Sequence, residues 1–545
     1  MSKIKIFSLG GLDENGKNTY CVEIDEKIFI FDCGLKYANE NLYGIDYIIP
    51  DFDYLVKNKK RIKGLFITHG HKENMGSVGD LLRVIPNLKV YATKYTKFML
   101  ELDEVNQKNI VEIQPHKKLS FDEVSIFSIS VSHSIPDAVM YVINTKDGAI
   151  CYTGDFIIDP AMRDHYGMDL GKVAYIGKQG VLALMCESVF SEKIGHTSPN
   201  HKLMSFYKDT IHRNSNNRII FNILPDHLYT IEEILTAASD THRKIIVMGK
   251  TLQSILSFAT KEKYLNYAEE IIGDLSNIED ENAIILISEN RATPYSSLNK
   301  ILDGYDKYIK LKPNDSVVFA IPRYDSTEKL LVKLENELAM VGVNIISIPK
   351  DKNILHHASS EDLMLMINLL APKYYIPVKG EYRYMVGNAN IASVLGIRKE
   401  DILLKQNGDV VNIIDGELIE SYEHVNVNDV LIDGKSNDDV GELVIKDREM
   451  LSENGIVLIS ATLKKENKRI IVGPEVTTRG FIYVKDSKEM IKEIRDISLR
   501  VIERNITPNY VEYNKIKNEI REELGNYLYQ ETECKPMIIA VVQEI

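Results

Sequence analysis

The sequence predicts a mixed α/β protein of about three domains, and three observations carry that prediction. The chain has 545 residues, where a single domain usually holds about 100 to 200. Short β-branched runs alternate with stretches of helical apolar periodicity. The texture of that alternation changes near Ser198 and again near Asp433.

Taken in order, Lys3 to Leu9, Lys27 to Phe31, Gly64 to Thr68 and Ala149 to Thr153 read as strands. Gly, Asp and Asn separate them from helical stretches, and residues 1–198 form a first α/β region. Longer helices follow, Asp226 to Ser239 among them, interleaved with strands at Arg218 to Ile223 and Arg243 to Met248, which makes 199–352 a second α/β domain. In a third segment, 353–435, Leu363, Met366, Ile367 and Leu370 share one helix face ahead of a strand at Tyr374 to Val378. Polar, glycine-containing sequence marks 436–453 as a linker. Over 454–545, strands at Ile456 to Thr462 and Arg469 to Val472, a helical stripe of Ile491, Ile494, Ile497 and Val501, and a final strand at Met537 to Val542 give a small β-β-α-α-β domain. The apolar stripe and last strand either close that domain's own core or also pair subunits.

Composition fits a folded cytoplasmic protein, with 44% hydrophobic and 27% charged residues. The N-terminus runs straight into a strand-like alternation, without the charged leader and apolar stretch of an export signal. The longest apolar runs, Val181 to Met185 and Met537 to Val542, fall far short of the ~20 residues that span a bilayer. Five cysteines form no C-x-x-C pair and leave an odd thiol, so they read as reduced packing residues. A net charge of −13 argues against indiscriminate binding of polyanions, and any contact with one must come from a local basic groove.

The most informative segment is Leu65-Phe-Ile-Thr-His69-Gly-His71-Lys-Glu73-Asn74-Met75, where two histidines close a short apolar strand ahead of a helix. An alternating His-x-His can point two imidazoles at one zinc or manganese ion, and alone it reads equally well as two polar turn histidines. Val131-Ser-His133 adds a third imidazole after a strand, and Tyr152-Thr-Gly-Asp155 adds a carboxylate at the end of another.

With these residues in place, the chain resembles the metallo-β-lactamase superfamily and, within it, the β-CASP ribonuclease J family, along essentially its whole length. The matching stretches are Gly10-Gly11-Leu-Asp-Glu14-Asn-Gly16-Lys17-Asn18, Phe31-Asp32-Cys-Gly34, Gly44-Ile-Asp46 with Pro50-Asp51, His133-Ser-Ile-Pro-Asp137, Gly154-Asp155-Phe156 and Thr478-Arg479-Gly480-Phe481. The resemblance implies an αββα sandwich made of 1–198 and 353–435, a β-CASP domain inserted at 199–352, and a C-terminal α+β domain after a linker. It also implies a 5′→3′ exoribonuclease of RNA decay and ribosomal RNA maturation, in which paired metal ions act on a phosphodiester.

Against that pattern the chain departs at two sites. His69, His71, His133 and Asp155 align with the ligands of a first metal. The second metal's aspartate is Glu73, its histidine Asn74, and the last histidine Lys379, in Pro377-Val-Lys379-Gly-Glu381. A protonated lysine has no lone pair to offer a cation. The resemblance gives Asp155 and His357 catalytic roles. The family's 5′-phosphate pocket aligns with Pro225 and Asp226, and with Leu355, His357 and Ser359 in Asn353-Ile-Leu355-His356-His357-Ala358-Ser359, where hydroxyls and a glycine are lost. Ser359 also reads as the N-cap of a helix, with Glu361 and Asp362 in its first turn. The basic cluster Lys464, Lys465, Lys468 and Arg469 reads as a solvated hairpin tip.

The expectation is therefore a ribonuclease J paralogue resembling the second, catalytically weak copy found in some bacteria. It holds at most one zinc or manganese ion, or none, acts on RNA weakly or not at all, and assembles as a homo-oligomer or with an active ribonuclease J. The rival is a non-catalytic RNA-binding or assembly scaffold. A hydrolase of small thioesters or lactams leaves the insertion from Ser198 to Lys352 unexplained.

Overall fold

The computed structural model describes residues 2–38, 42, 44–267, 269–291, 293–323, 327–352, 354–434, 442–481, 488–507 and 510–545. Two compact units emerge, one of Met1–Tyr37 with Tyr47–Val430 and one of Ala38–Asp46 with Leu431–Ile545.

In the first unit an eight-stranded sheet runs in the order Glu417–Ile419, Val411–Ile414, Lys3–Gly10, Thr19–Ile24, Lys27–Phe31, Ile62–Phe66, Val90–Ala92, Ile110–Glu112. A six-stranded sheet runs Tyr374–Val378, Val181–Glu187, Gly148–Tyr152, Val139–Thr145, Val124–Ser130, Leu119–Phe121. Inner-face residues of both sheets, among them Val22, Phe29, Phe31, Phe66, Tyr141, Tyr152 and Met185, share one core. The outer face of the six-stranded sheet packs on helices Leu170–Gln179, Ser360–Leu370 and Tyr382–Val394 through Val173, Leu363, Met366 and Ile391. Phe29 and Phe31 bury as completely as Ile28 and Ile30 on the opposite face, because a sheet in a layered sandwich is covered on both sides. The segment after the insertion thus returns to the sandwich, with its strand parallel to Val181–Glu187 and Glu187 opposite Val378.

The insertion is a five-stranded, wholly parallel sheet in the order Ile245–Met248, Ile284–Ser288, Ile219–Ile223, Ser316–Ala320, Asn344–Ser347. Its central strand, IIFNI, is buried throughout, as the middle of a parallel sheet requires. The loops after Ile223 and after Ser288 leave neighbouring strands at the same, carboxyl end of the sheet, the edge where open α/β sheets carry ligand crevices.

Two exits from the eight-stranded sheet position the site. After Phe31 the chain turns at Asp32, with φ 58°, into Cys33 and Gly34. A Cβ on Gly34 would lie 1.6 Å from the Glu73 carbonyl oxygen, so only glycine lets the two loops meet. There Cys33 N donates to the Asn74 carbonyl at 2.7 Å and Asn18 N to that of Glu73 at 3.1 Å.

The second unit has helix Glu442–Asn454, then strands Ile456–Leu463 and Ile470–Arg479, helices Lys488–Arg504 and Tyr513–Thr532, and strand Met537–Glu544. Much of the expected linker 436–453 is thus helix from Glu442, and residues 435–441 lie outside the described residues, as does Asn353. The strand expected to end at Val472 runs on through Gly473-Pro474 to Arg479. It is an edge strand of the sheet, and proline's missing N–H costs no ladder bond there. Ile494, Ile497 and Val501 are buried against Val457, Ile459, Ile520 and Leu524, so the apolar stripe closes this domain's own core. The basic cluster is a hairpin tip, with Lys464 paired to Glu466 and Lys468 to Glu544.

Because this core is self-contained, a fragment of residues 442–545 is expected to unfold cooperatively in urea, and Ile520→Ala, at a fully buried position, to cost ~2–5 kcal/mol. A noncooperative melt of the unmutated fragment would contradict it.

Candidate metal centre

Asp32 is the base on which the site is built. Fully buried, it accepts from Thr68 N at 2.8 Å, Thr68 Oγ1 at 2.9 Å, Asn74 Nδ2 at 2.7 Å and Tyr152 Oη at 2.7 Å. Burial raises its pKa, against the downward pull of His69 and these donors.

Each imidazole is anchored by the nitrogen that faces away from the centre. Thr68 Oγ1 gives its proton to Asp32, so at 2.9 Å it can only accept from His69 Nδ1, which leaves His69 Nε2 bare. His133 Nδ1 donates to the His356 carbonyl at 2.9 Å and leaves Nε2 bare. His71 Nε2 donates to the Asp226 carbonyl at 3.3 Å and leaves Nδ1 bare. These partners assign the tautomers. The three bare nitrogens converge: His71 Nδ1 lies 3.1 Å from both His69 Nε2 and His133 Nε2. Asp155 Oδ2 completes the group at 3.4 Å from His69 Nε2 and 3.8 Å from His133 Nε2.

Four ligands around a tetrahedral zinc stand about 3.3 Å apart, given bonds of ~2.0–2.1 Å. Three lone pairs that face one another with no donor among them fit one cation of this kind. Burial and the neighbouring imidazoles hold His71 and His133 well below the usual histidine range, so both are neutral, as ligands must be.

The second half of the centre is built differently. Lys379 ends the strand Tyr374–Val378 in a left-handed turn, φ 52°, and is fixed by its own N–H to the Gly11 carbonyl at 2.9 Å and by Ser188 N to its carbonyl at 3.0 Å. Its buried ammonium bonds Asp155 Oδ2 and lies 3.5 Å from Asn74 Oδ1. Against the upward push of burial, Lys379, His357 and His69 hold Asp155 well below the usual carboxylate range. An ammonium on Asp155 Oδ2 offers no lone pair to a second cation, and it also opposes a divalent ion ~4 Å away in the imidazole site, by about 8 kcal/mol at an effective dielectric constant near 20, which the Asp155 carboxylate between them offsets. Asn74 spends its amide N–H on Asp32. Glu73 lines the same small pocket as His71, Asp155 and Lys379 and pairs with Arg291, which also reaches Asp226 Oδ2 at 3.3 Å and His227 Nε2 at 2.7 Å.

His357 and Leu355 line the small pocket beside Lys379. His357 Nδ1 donates to Glu187 Oε2 at 2.6 Å, and Glu187 Oε1 accepts from Phe156 N at 2.8 Å, so the ring is oriented by a buried carboxylate. Burial lifts the Glu187 pKa, in spite of His357.

Two of the residues aligned with a phosphate pocket have partners elsewhere in the structure. Ser359 is the N-cap of helix Ser360–Leu370, as its sequence context also suggests, with its N–H on Asp362 Oδ2 at 3.2 Å and its hydroxyl on Thr197 at 2.8 Å. Asp226 shares its counter-charge, Arg291, with Glu73, so these three side chains together keep a net charge of −1. Pro225 stands half-buried at the start of its turn. His356, where the resemblance has glycine, keeps the left-handed backbone, φ 55°, and packs its buried ring against His201 and Tyr229. Arg291, His227, Glu187 and Asp32 were not singled out from the sequence. His227 adjoins Asp226 and Asp32 lies in a quoted motif, whereas nothing local marks Arg291 among 66 basic residues.

Family comparisons agree with this geometry. The metallo-beta-lactamase superfamily matches residues 12–183, the ribonuclease J beta-CASP domain 216–334 and the ribonuclease J C-terminal domain 443–545. Ribonuclease J2 of Bacillus subtilis is 34% identical over 99% of this chain and 99% of its own length. The chain belongs to the ribonuclease J family. Another relative, ribonuclease J 2 of Staphylococcus saprophyticus, is 34% identical over 99% of this chain and 98% of its own, and that of Staphylococcus aureus MRSA252 is 32% identical over the same shares. A crystal structure of a protein of unknown function from Enterococcus faecalis V583 shares the fold, with a TM-score of 0.51 and 16% identity over 75% of this chain and 100% of its own. No described helix of this ribonuclease J family member is long and apolar enough to cross a membrane.

Removing the Asp32 carboxylate strands buried donors on Thr68, Asn74 and Tyr152. Asp32→Ala is expected to lower the stability of the first unit by ~3–5 kcal/mol, with Asp32→Asn costing less, read as the loss of its thermal transition while that of the second unit stays put. An unchanged first transition would contradict this role.

Proposed function

We propose that this chain is a ribonuclease J paralogue whose metal centre is reduced to at most one zinc or manganese position. It acts weakly or not at all as a 5′→3′ exoribonuclease and serves RNA decay and ribosomal RNA maturation in the cytoplasm as partner of an active ribonuclease J, in a homo- or hetero-oligomer. The observation that carries this reading is the Lys379 ammonium seated on Asp155, the carboxylate that also faces the three imidazoles.

His69, His71, His133 and Asp155 would hold the ion, which when bound polarises a phosphate oxygen and lowers the pKa of a water. The chain's own residues do the rest. Lys379 supplies a fixed positive charge beside Asp155 that cannot generate hydroxide. His357, held at Nδ1 by Glu187, can hold or give a proton at Nε2. With one cationic charge fixed in a side chain, an intact ribonuclease J's pair of ions has no counterpart, and turnover falls. The scaffold reading draws support from Glu73, whose carboxylate is committed to Arg291.

Hydrolysis of a 5′-monophosphorylated RNA, with manganese, tests the proposal. The chain alone is expected to be far slower than an active paralogue and to co-migrate with it by light scattering. Lys379→His is expected to gain less than about tenfold, because Glu73 and Asn74 remain. Recovery of the paralogue's rate by that single change would refute it, and a complete absence of hydrolysis with RNA binding retained would favour the scaffold.

A further inference from the structure

The Glu73–Arg291 pair joins two separate parts of the first unit. Glu73 lies on the short helix Lys72–Met75 of the sandwich, two residues after His71. Arg291 and Asp226 lie in the loops that leave the inserted sheet after Ser288 and after Ile223. Arg291 is gripped from both sides, by Glu73 through one guanidinium nitrogen and by Asp226 Oδ2 at 3.3 Å from Nε. Its second terminal nitrogen meets His227 Nε2 at 2.7 Å, and the His227 ring stacks on that of His71, centroids 5.5 Å apart at 28°. The side chains of Arg291, Glu73 and Asp226 are only 11%, 16% and 13% exposed, so these charges attract through a poorly screened medium. Glu73 has a methylene more than aspartate, which lengthens its reach toward Arg291.

From this we propose that Glu73, Arg291 and Asp226 form a latch that holds the inserted domain closed over the histidine cluster, so that any solute reaches the centre only when the Arg291–Glu73 pair parts. A carboxylate-bound guanidinium is well suited to that task. Its bonds are strong and directional, yet another oxyanion can exchange for a carboxylate one contact at a time. The two parts also meet elsewhere, through the stacked rings of Phe98 and Phe258, 3.8 Å apart, and the bond of Tyr264 to Asp137. Parting the latch therefore opens the mouth of the cleft without releasing the insertion.

Hydrogen exchange of the full-length chain, read by mass spectrometry in the presence of a chelator, tests the latch independently of metal or nuclease activity. In Glu73→Gln, the backbone amides of 70–76 and 224–229 are expected to exchange about fivefold faster or more, while those of 456–463 and 537–544 are unchanged. In Arg291→Gln the same segments are expected to speed up, and adding Glu73→Gln to it should change nothing further, since the pair acts as one unit. Unchanged exchange in Glu73→Gln would overturn the proposal, as would a double variant markedly faster than Arg291→Gln alone. If Arg291→Gln fails to fold, Glu73→Gln decides by itself.

Discussion

A buried lysine ammonium against a buried aspartate governs how this centre is arranged. Lys379 and Asp155 meet at the ends of two strands of the six-stranded sheet, in a setting where an unpaired charge of either sign would be untenable. The bond fixes where Asp155 Oδ2 points, and with it the fourth corner of the ligand set formed by His69, His71 and His133. It also holds Asp155 ionised in spite of its burial. The same bond places a positive charge beside that ligand set, on the carboxylate the proposal takes as shared with a second cation.

That the surroundings tolerate the exchange follows from how they are held. Asp32 draws its partners from a backbone N–H, a hydroxyl, an amide and a phenol, none of which depends on an ion. The helix carrying Glu73 and Asn74 is pinned by its carbonyls to Asn18 and Cys33, again without side-chain ligands. The loops therefore hold their shape with the Glu73 carboxylate on Arg291 and the Asn74 amide on Asp32. The fold of these loops thus does not depend on metal ligation.

Much of this was legible in the chain itself. The strand Tyr374–Val378 stands where its apolar run placed it, because a fully buried parallel strand reads as continuous hydrophobic sequence. The convergence of His69, His71, His133 and Asp155 followed from their positions at strand ends and from family resemblance. Two features were not legible, for separate reasons. Arg291 reaches Glu73 across more than two hundred positions of sequence, and no local pattern records so distant a pairing. The helix Glu442–Asn454 is polar on most of its surface, so its apolar periodicity is too weak to distinguish it from a linker.

The claim on which everything else turns is that Lys379 stands in for a cation. Metal content of the purified full-length chain, measured by elemental analysis after loading with zinc or manganese and dialysis, tests it most directly. At most one ion per chain is expected, lost when His133 is replaced by alanine, and two tightly held ions per chain would contradict the account.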